Sequence, residues 1–425
     1  MGNATLWTRQ PGFFVYTTYT VLKALIKLPC LMILYTIPSF RPLREWTHQT
    51  AFARALTRLF FEYASVVEFS LAHTLDPGKE KERFVAIAPF ESGDDDDQNG
   101  DQQNTKPSSI YLGIAKPTTT TTTTTNSDTK IKPATVGGVW HPGPLLPESY
   151  THTPGTRVFL HFHGGAYVLF DCRDQLMAFG ARLLLQACTA SSSSSSSSSK
   201  NAENAPPAAV LCARYRLASH GPGNRFPAAL QDAITAYAHL VRRLGVPGRD
   251  VVVSGDSAGG NLALALLRYL SESQGHGLPL PGGVLLWSPW TDLTVDVEEL
   301  EKRAEDRYDM VPPRLVKWAY RVFLPEQLDN TEQEGGSVRE NPYISPVRRA
   351  IQTEVPIWVQ VNGKEIIRED ILRWVEVQKQ AGTRVGVYEI PNAPHDTFMA
   401  GEGLGFFKES QAAADHAIRF LNGEE

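Results

Sequence analysis

The chain has 425 residues, with 41 Lys and Arg against 46 Asp and Glu, giving a net charge of −5 at pH 7. That mild acidity, with no basic stripe of the kind that tracks phosphates, argues against nucleic acid as a partner. Four cysteines (Cys30, Cys172, Cys188 and Cys212) show neither Cys-x-x-Cys nor Cys/His ligand spacing, so no structural zinc is expected and they read as core or near-core thiols.

Residues 13–37 are strongly apolar and long enough to span a bilayer. Eleven Phe, Val, Leu and Ile residues up to Leu34 contribute about −3 to −7 kcal/mol on the membrane-insertion scale, and Lys23 and Lys27 cost about +5 to +7. The sum is near zero, so the stretch reads as a membrane-associated segment that either spans the bilayer or lies in one leaflet. A helix capping the substrate pocket is the alternative. Only one basic residue, Arg9, precedes the apolar core and no small-residue cleavage site follows, which disfavours a signal peptide. Leu6 stands where a myristoylation signal needs Ser or Thr. The expected location is the endoplasmic reticulum or another endomembrane, with the cytoplasm as alternative.

Apolar residues then recur at helical spacing over 46–67. Residues 1–80 are therefore taken as an N-terminal anchor with cap helices, and 81–425 as the main domain. Residues 83–90 and 109–114 read as a strand hairpin. The acidic run 91–107, the threonine-rich 116–135 and the serine-rich 190–205 read as low-complexity insertions. Further strands are expected at 158–162, 208–213, 251–253, 283–287, 355–361 and 384–390. Helices are expected at 174–188, 228–244, 261–270, 367–380 and 406–421. This alternation predicts an α/β domain with an eight-stranded, mostly parallel sheet covered by helices on both faces. Residues 295–341 are too many for a plain connection and carry a helical pattern over 313–323, so they read as a lid.

The most informative stretch is Val251-Val252-Val253-Ser254-Gly255-Asp256-Ser257-Ala258-Gly259. A short β-branched strand runs into Gly-x-Ser-x-Gly and then into a helix, the pattern of a nucleophile elbow. The glycines two places either side of Ser257 are needed because the backbone is strained there and neighbouring segments pass too close for a Cβ. A serine hydroxyl is a poor nucleophile and needs a base oriented by a carboxylate. His395, just beyond the last strand, is the candidate base, whereas His416 falls inside the terminal helix and reads as a surface residue.

Five motifs in order, His163-Gly164-Gly165, Tyr215-Arg216-Leu217-Ala218, Phe226-Pro227-Ala228-Ala229, Gly255-Asp256-Ser257-Ala258-Gly259-Gly260 and Ser288-Pro289-Trp290-Thr291-Asp292, resemble the hormone-sensitive-lipase-like branch of the α/β-hydrolase fold. The resemblance implies a cofactor-free serine esterase or lipase with a helical cap. It places the triad acid on Glu365, with Asp292 as the competing position and Asp370 as a turn-fixing residue. It also implies oxyanion donors from Gly164, Gly165 and Ala166 together with Ala258. Ala166 replaces the usual third glycine, and its methyl narrows the space for a bulky alcohol. Ser219-His220 and the extension to Asn224 replace the usual Pro-Glu in a loop that borders the site in relatives. The implied activity is hydrolysis of lipophilic carboxylic esters, acetyl or short-chain acyl, through an acyl-enzyme. A binding module that has lost catalysis and an amidase or deacetylase are the alternatives.

Overall fold

In the computed structural model the described residues are 6–90, 109–122, 127–145, 150–194, 208–272, 277–324 and 338–425. The apolar N-terminal stretch forms α1 (Gly12–Leu34), and the amphipathic stretch after it forms α2 (His48–Val67), capped by the Thr47 side chain accepting from the Thr50 amide. One stripe of α1 packs on α2. Tyr16 stacks on Tyr63 at 6.3 Å between centroids, and the Thr17 and Tyr63 hydroxyls meet at 3.0 Å. The opposite face, carrying Phe14, Leu22, Leu25, Ile26 and Ile33, is exposed. Cys30 is exposed as well, so the core reading of the thiols holds for Cys172 and Cys212 but not for it.

The main sheet opens with β1 (Phe84–Ile87). Its expected hairpin partner at 109–114 is not a strand. Ile110 and Tyr111 are buried there, but the Tyr269 hydroxyl satisfies the backbone, donating to the Ile110 carbonyl and accepting from the Leu112 amide. A separate two-stranded hairpin, β2 (Thr118–Thr122) and β3 (Ser127–Ile131), occupies part of the threonine-rich segment expected to lack structure. The true partner of β1 is β4 (Val136–His141), which sequence reading missed because Gly137 and Gly138 break any apolar alternation. Those glycines give close packing: a Cβ on Gly137 would stand 2.7 Å from the Phe84 ring.

From here the alternation follows expectation. β5 (Val158–Phe162) leads to α3 (Asp174–Ser194), which takes in the first four residues of the serine run. The acidic run 91–107 and most of 190–205 lie outside the described residues. Next come β6 (Ala209–Arg214), α4 (Ala228–Ala238) with a π turn over His239–Arg243, β7 (Val251–Asp256) and α5 (Ala258–Glu272). β8 (Gly283–Trp287) precedes the expected lid segment, which holds α6 (Val297–Leu300) and α7 (Pro313–Phe323). β9 (Ile357–Asn362), α8 (Arg368–Gln380) and β10 (Val385–Ile390) follow. The chain ends with α9 (Thr397–Leu404), which was not expected, and α10 (Phe407–Asn422).

The eight strands run in the order β1-β4-β6-β5-β7-β8-β9-β10, antiparallel on both sides of β4 and parallel elsewhere. Chain order reverses around β5, which lies between β6 and β7. The loops after β5 and β7 therefore open side by side at the carboxyl edge, where ligands sit in such sheets. β7 is buried along its whole length, and the next turn brings α5 against β5. A Cβ on Gly259 would stand 2.0 Å from the Phe162 carbonyl oxygen, so only glycine permits this approach.

Gly259→Ala should therefore lower stability by at least about 1–3 kcal/mol, the usual cost of overpacking. Gly403→Ala in α9, where a Cβ would meet nothing within 4 Å, should be neutral or raise it by up to about 1 kcal/mol. Urea unfolding of both variants checks the contrast, and equal midpoints would contradict it.

Candidate active site

Ser257 stands in the tight turn between β7 and α5 with φ +51°, a left-handed value rare for a residue with a side chain. Its amide donates to the Trp287 carbonyl (2.9 Å) and its own carbonyl accepts from Trp290 (2.9 Å), so strand β8 and the loop after it fix the strained turn. The Oγ lies 2.9 Å from Nε2 of His395. Nδ1 of His395 lies 2.8 Å from Oε2 of Glu365, whose Oε1 accepts from the Asn362 amide at 2.7 Å. Three side chains from separate loops, after β7, β9 and β10, thus form one chain of hydrogen bonds. With its proton on Nδ1, the imidazole donates to Glu365 and accepts from the Ser257 hydroxyl, an arrangement able to generate an alkoxide.

The competing acids stand elsewhere. Asp292 is buried beside Thr294 and Arg373, and Asp370 pairs with Arg303 at 2.6 Å, tying α8 to the segment after α6. His416 is half-buried rather than on the surface, accepting from the Trp358 indole at 3.0 Å and meeting Glu425. The loops bearing Glu365 and His395 are joined directly: the Lys364 amide donates to the Ala393 carbonyl (3.0 Å) and the Asn362 amide side chain to the Pro394 carbonyl (2.7 Å). Just past His395, Asp396 caps α9 through the Met399 amide, and Phe398 stacks on Trp287 at 4.3 Å.

The loop after β5 lies against Ser257. Gly164 does not serve as expected, because its amide donates to Oδ2 of Asp256 at 2.7 Å and is not free for an oxyanion. The amides of Gly165 and Ala166, both at positive φ (+102° and +56°), have no acceptor among the described residues, and neither has that of Ala258 at the first turn of α5. Such amides suit a developing negative charge. Ala166 holds its left-handed conformation despite its Cβ, at a cost of about 1–2 kcal/mol. The rest of the loop is held by neighbours: Tyr167 donates to Asn261 Oδ1 (2.7 Å), Ala218 to the Tyr167 carbonyl (2.9 Å) and Ser219 to that of Val168 (2.8 Å). The segment that departs from the family pattern therefore does border the site.

Electrostatics around the imidazole are dominated by carboxylates. Burial disfavours the charged form of His395, but the hydrogen bond and charge of Glu365, with Asp309 and Asp396, outweigh it and push the imidazole up to about 9. Burial raises Glu365, and its bond to His395 opposes that rise. Asp256 and Asp396, which flank Ser257 and His395 in sequence, form a buried hydrogen-bonded pair. Burial lifts Asp256 to about 6 and, with the charge of Asp256, raises Asp396 well above its ordinary value. Neither acid stood out in the sequence, since each reads as an ordinary turn residue.

A family model described as alpha/beta hydrolase fold matches residues 159–399. Among curated relatives, an acetyl-hydrolase of Streptomyces hygroscopicus is 29% identical over 239 residues, 56% of this chain and 67% of the relative. An esterase of Acinetobacter venetianus is 27% identical over 263 residues, 61% of this chain and 72% of its own length. A solved esterase/lipase from an uncultured bacterium aligns with a TM-score of 0.50 at 19% identity, over 88% of this chain and 98% of that one, and shares the fold. The chain belongs to the alpha/beta hydrolase fold family, as the resemblance of its motifs to the hormone-sensitive-lipase-like branch implied.

Proposed function

We propose that the protein is a carboxylic ester hydrolase in which Ser257 attacks the ester carbonyl, His395 takes and returns the proton, and Glu365 orients the imidazole and stabilises its charged form. The observation that carries this reading is the unbroken hydrogen-bond chain from Ser257 through His395 to Glu365. Attack forms a tetrahedral oxyanion facing the amides of Gly165, Ala166 and Ala258, where each donor is worth about 2.7–4 kcal/mol of barrier. Collapse expels the alcohol, which takes its proton from His395. Water then repeats the sequence on the acyl-enzyme and releases the acid.

The substrate we infer is a lipophilic ester of acetate or another short acid, in line with the acetyl-hydrolase among the relatives. Aromatic residues roof the oxyanion loop: Phe323 of α7 stacks on Tyr167 at 4.0 Å, and Tyr320 stacks on Trp290 at 5.6 Å. Such a roof, acting as a lid, favours an apolar substrate. The exposed apolar face of α1 supports seating at a lipid surface, where such esters partition. Because α1 is packed lengthwise on α2, we favour a helix lying in one leaflet over a bilayer span.

Ser257→Ala should lower turnover of a water-soluble short-chain ester by about 10⁴- to 10⁶-fold, and Glu365→Gln by about 10⁴-fold. Retained turnover in Ser257→Ala would sink the assignment. The base works only when unprotonated, and its affinity for the proton is raised to about 9. Accordingly, kcat/KM should climb as pH rises from 6 towards 9; a profile already flat by pH 6.5 would contradict the electrostatics. Replacing two exposed residues together, Leu25→Asp and Ile26→Asp, should abolish co-sedimentation with phosphatidylcholine vesicles while leaving soluble-ester turnover unchanged. Undiminished vesicle binding would remove α1 as the lipid-contacting element.

A further inference from the structure

Outside the three residues assigned above, the most heavily used buried group near the site is a carboxylate contributed by the segment between α6 and α7. Asp309 has no solvent exposure. Its Oδ1 accepts from the amides of Met310 (2.6 Å) and His395 (3.2 Å), and its Oδ2 from the amide of Ile366 (2.6 Å). The first bond holds Asp309 in its own turn. The other two reach separate loops, one at the residue after Glu365 and one at His395 itself. A single carboxylate thus spans the acid loop and the base loop at the points where they carry the reacting groups.

The position of Asp309 is set in turn by α2. Arg54 donates to the carbonyls of Tyr308 (2.8 Å), Arg307 (2.6 Å) and Asp306 (3.3 Å). Arg58 donates to the carbonyls of Asp306 (2.5 Å) and Asp309 (3.0 Å) and to the Asp306 carboxylate (2.8 Å). Trp46, just before α2, donates to the Asn392 carbonyl at 2.6 Å, three residues ahead of His395. Lys364 sits over the Tyr308 ring at 5.4 Å. The N-terminal helical pair is therefore wired to the loops bearing the acid and the base, through residues 306–309.

We propose that Asp309 is a positioning residue for ester hydrolysis: its carboxylate locks the loops of Glu365 and His395 at working distance, and α2, through Arg54 and Arg58, holds that lock in place. The proposal rests on the assignment of Ser257, His395 and Glu365 given above. Two hydrogen bonds to different loops convert the freedom of each loop into one shared geometry, and a displacement near 1 Å at a reacting group can cost about 100-fold in rate. A carboxylate is required because every partner is a donor; an amide side chain would turn one N–H against another. Asp309 also adds its charge to those of Glu365 and of Asp396, behind which Asp256 lies, all of which favour the protonated imidazole. Arg54 is the cation that faces Asp309.

The full chain carrying Asp309→Asn, assayed on a soluble short-chain ester, should lose about 100-fold in kcat with KM within a few-fold of the parent. Its acidic limb should move to lower pH, because one charge that raises His395 is gone, a shift that a purely structural carboxylate farther from the imidazole would not produce. Parent-like kcat and an unmoved acidic limb in a folded variant would overturn the proposal. If Asp309→Asn fails to fold, Arg58→Gln decides: a fall of about tenfold in kcat at constant KM upholds the coupling through α2, and parent-like kcat overturns it. Ser257→Ala, run alongside, separates the two readings. Its inactivity together with a parent-like Asp309→Asn rejects the positioning role alone, and its retained turnover rejects the underlying assignment.

Discussion

The arrangement depends on how closely helix α5 approaches strand β5. Gly259 lets the helix backbone touch the Phe162 carbonyl, which brings the turn at Ser257 up against the loop that starts at His163. A side chain at that contact would separate the serine from the amides of Gly165 and Ala166. The strain recorded at Ser257, at φ +51°, persists because bonds to Trp287 and Trp290 hold both sides of the turn. Strain of this kind survives only where its surroundings over-determine it.

Around that fixed turn, buried carboxylates dominate the surroundings of His395. Glu365, Asp309 and the Asp256–Asp396 pair surround a single imidazole; each accepts from a backbone amide, Asp256 also meets the His161 ring at 2.9 Å, and Arg54 is the cation facing Asp309. Amide dipoles stabilise negative charge without supplying a mobile proton, so the carboxylates keep their influence on His395. The Asp256–Asp396 pair also links the two ends of the site mechanically. Asp256 precedes the serine and holds Gly164; Asp396 follows the histidine and caps α9.

The elements added to the sheet act on this centre from above. Helix α7 places Phe323 on Tyr167 and lies between the domain and α2, while α2 grips the turn that carries Asp309. Apolar packing closes the roof, and hydrogen bonds to main-chain carbonyls set its register. The exposed apolar face of α1 continues the same layer outward, beyond α2.

Much of this was legible in the residues. Strand and helix alternation after 158, the elbow at Ser257 and the histidine beyond the last strand are local signals, carried by β-branched runs, glycine spacing and chain order. They were enough for the fold class and for the three residues whose side chains meet. Strand β4 escaped because its glycines leave no pattern and its identity comes from Phe84 and Leu211 filling the space they vacate. Helix α9 escaped because Gly401 and Gly403 look like loop, and only the Asp396 cap and the burial of Phe398 make it helical. What the sequence determined by itself was which groups could do the chemistry. The tertiary structure alone decided which amides are free, with Gly164 committed to Asp256, and that Asp309 accepts from the loops of Glu365 and His395. Those outcomes are contacts between segments far apart along the chain, set by the distance and direction of individual hydrogen bonds, for which a residue's immediate neighbours carry no signal.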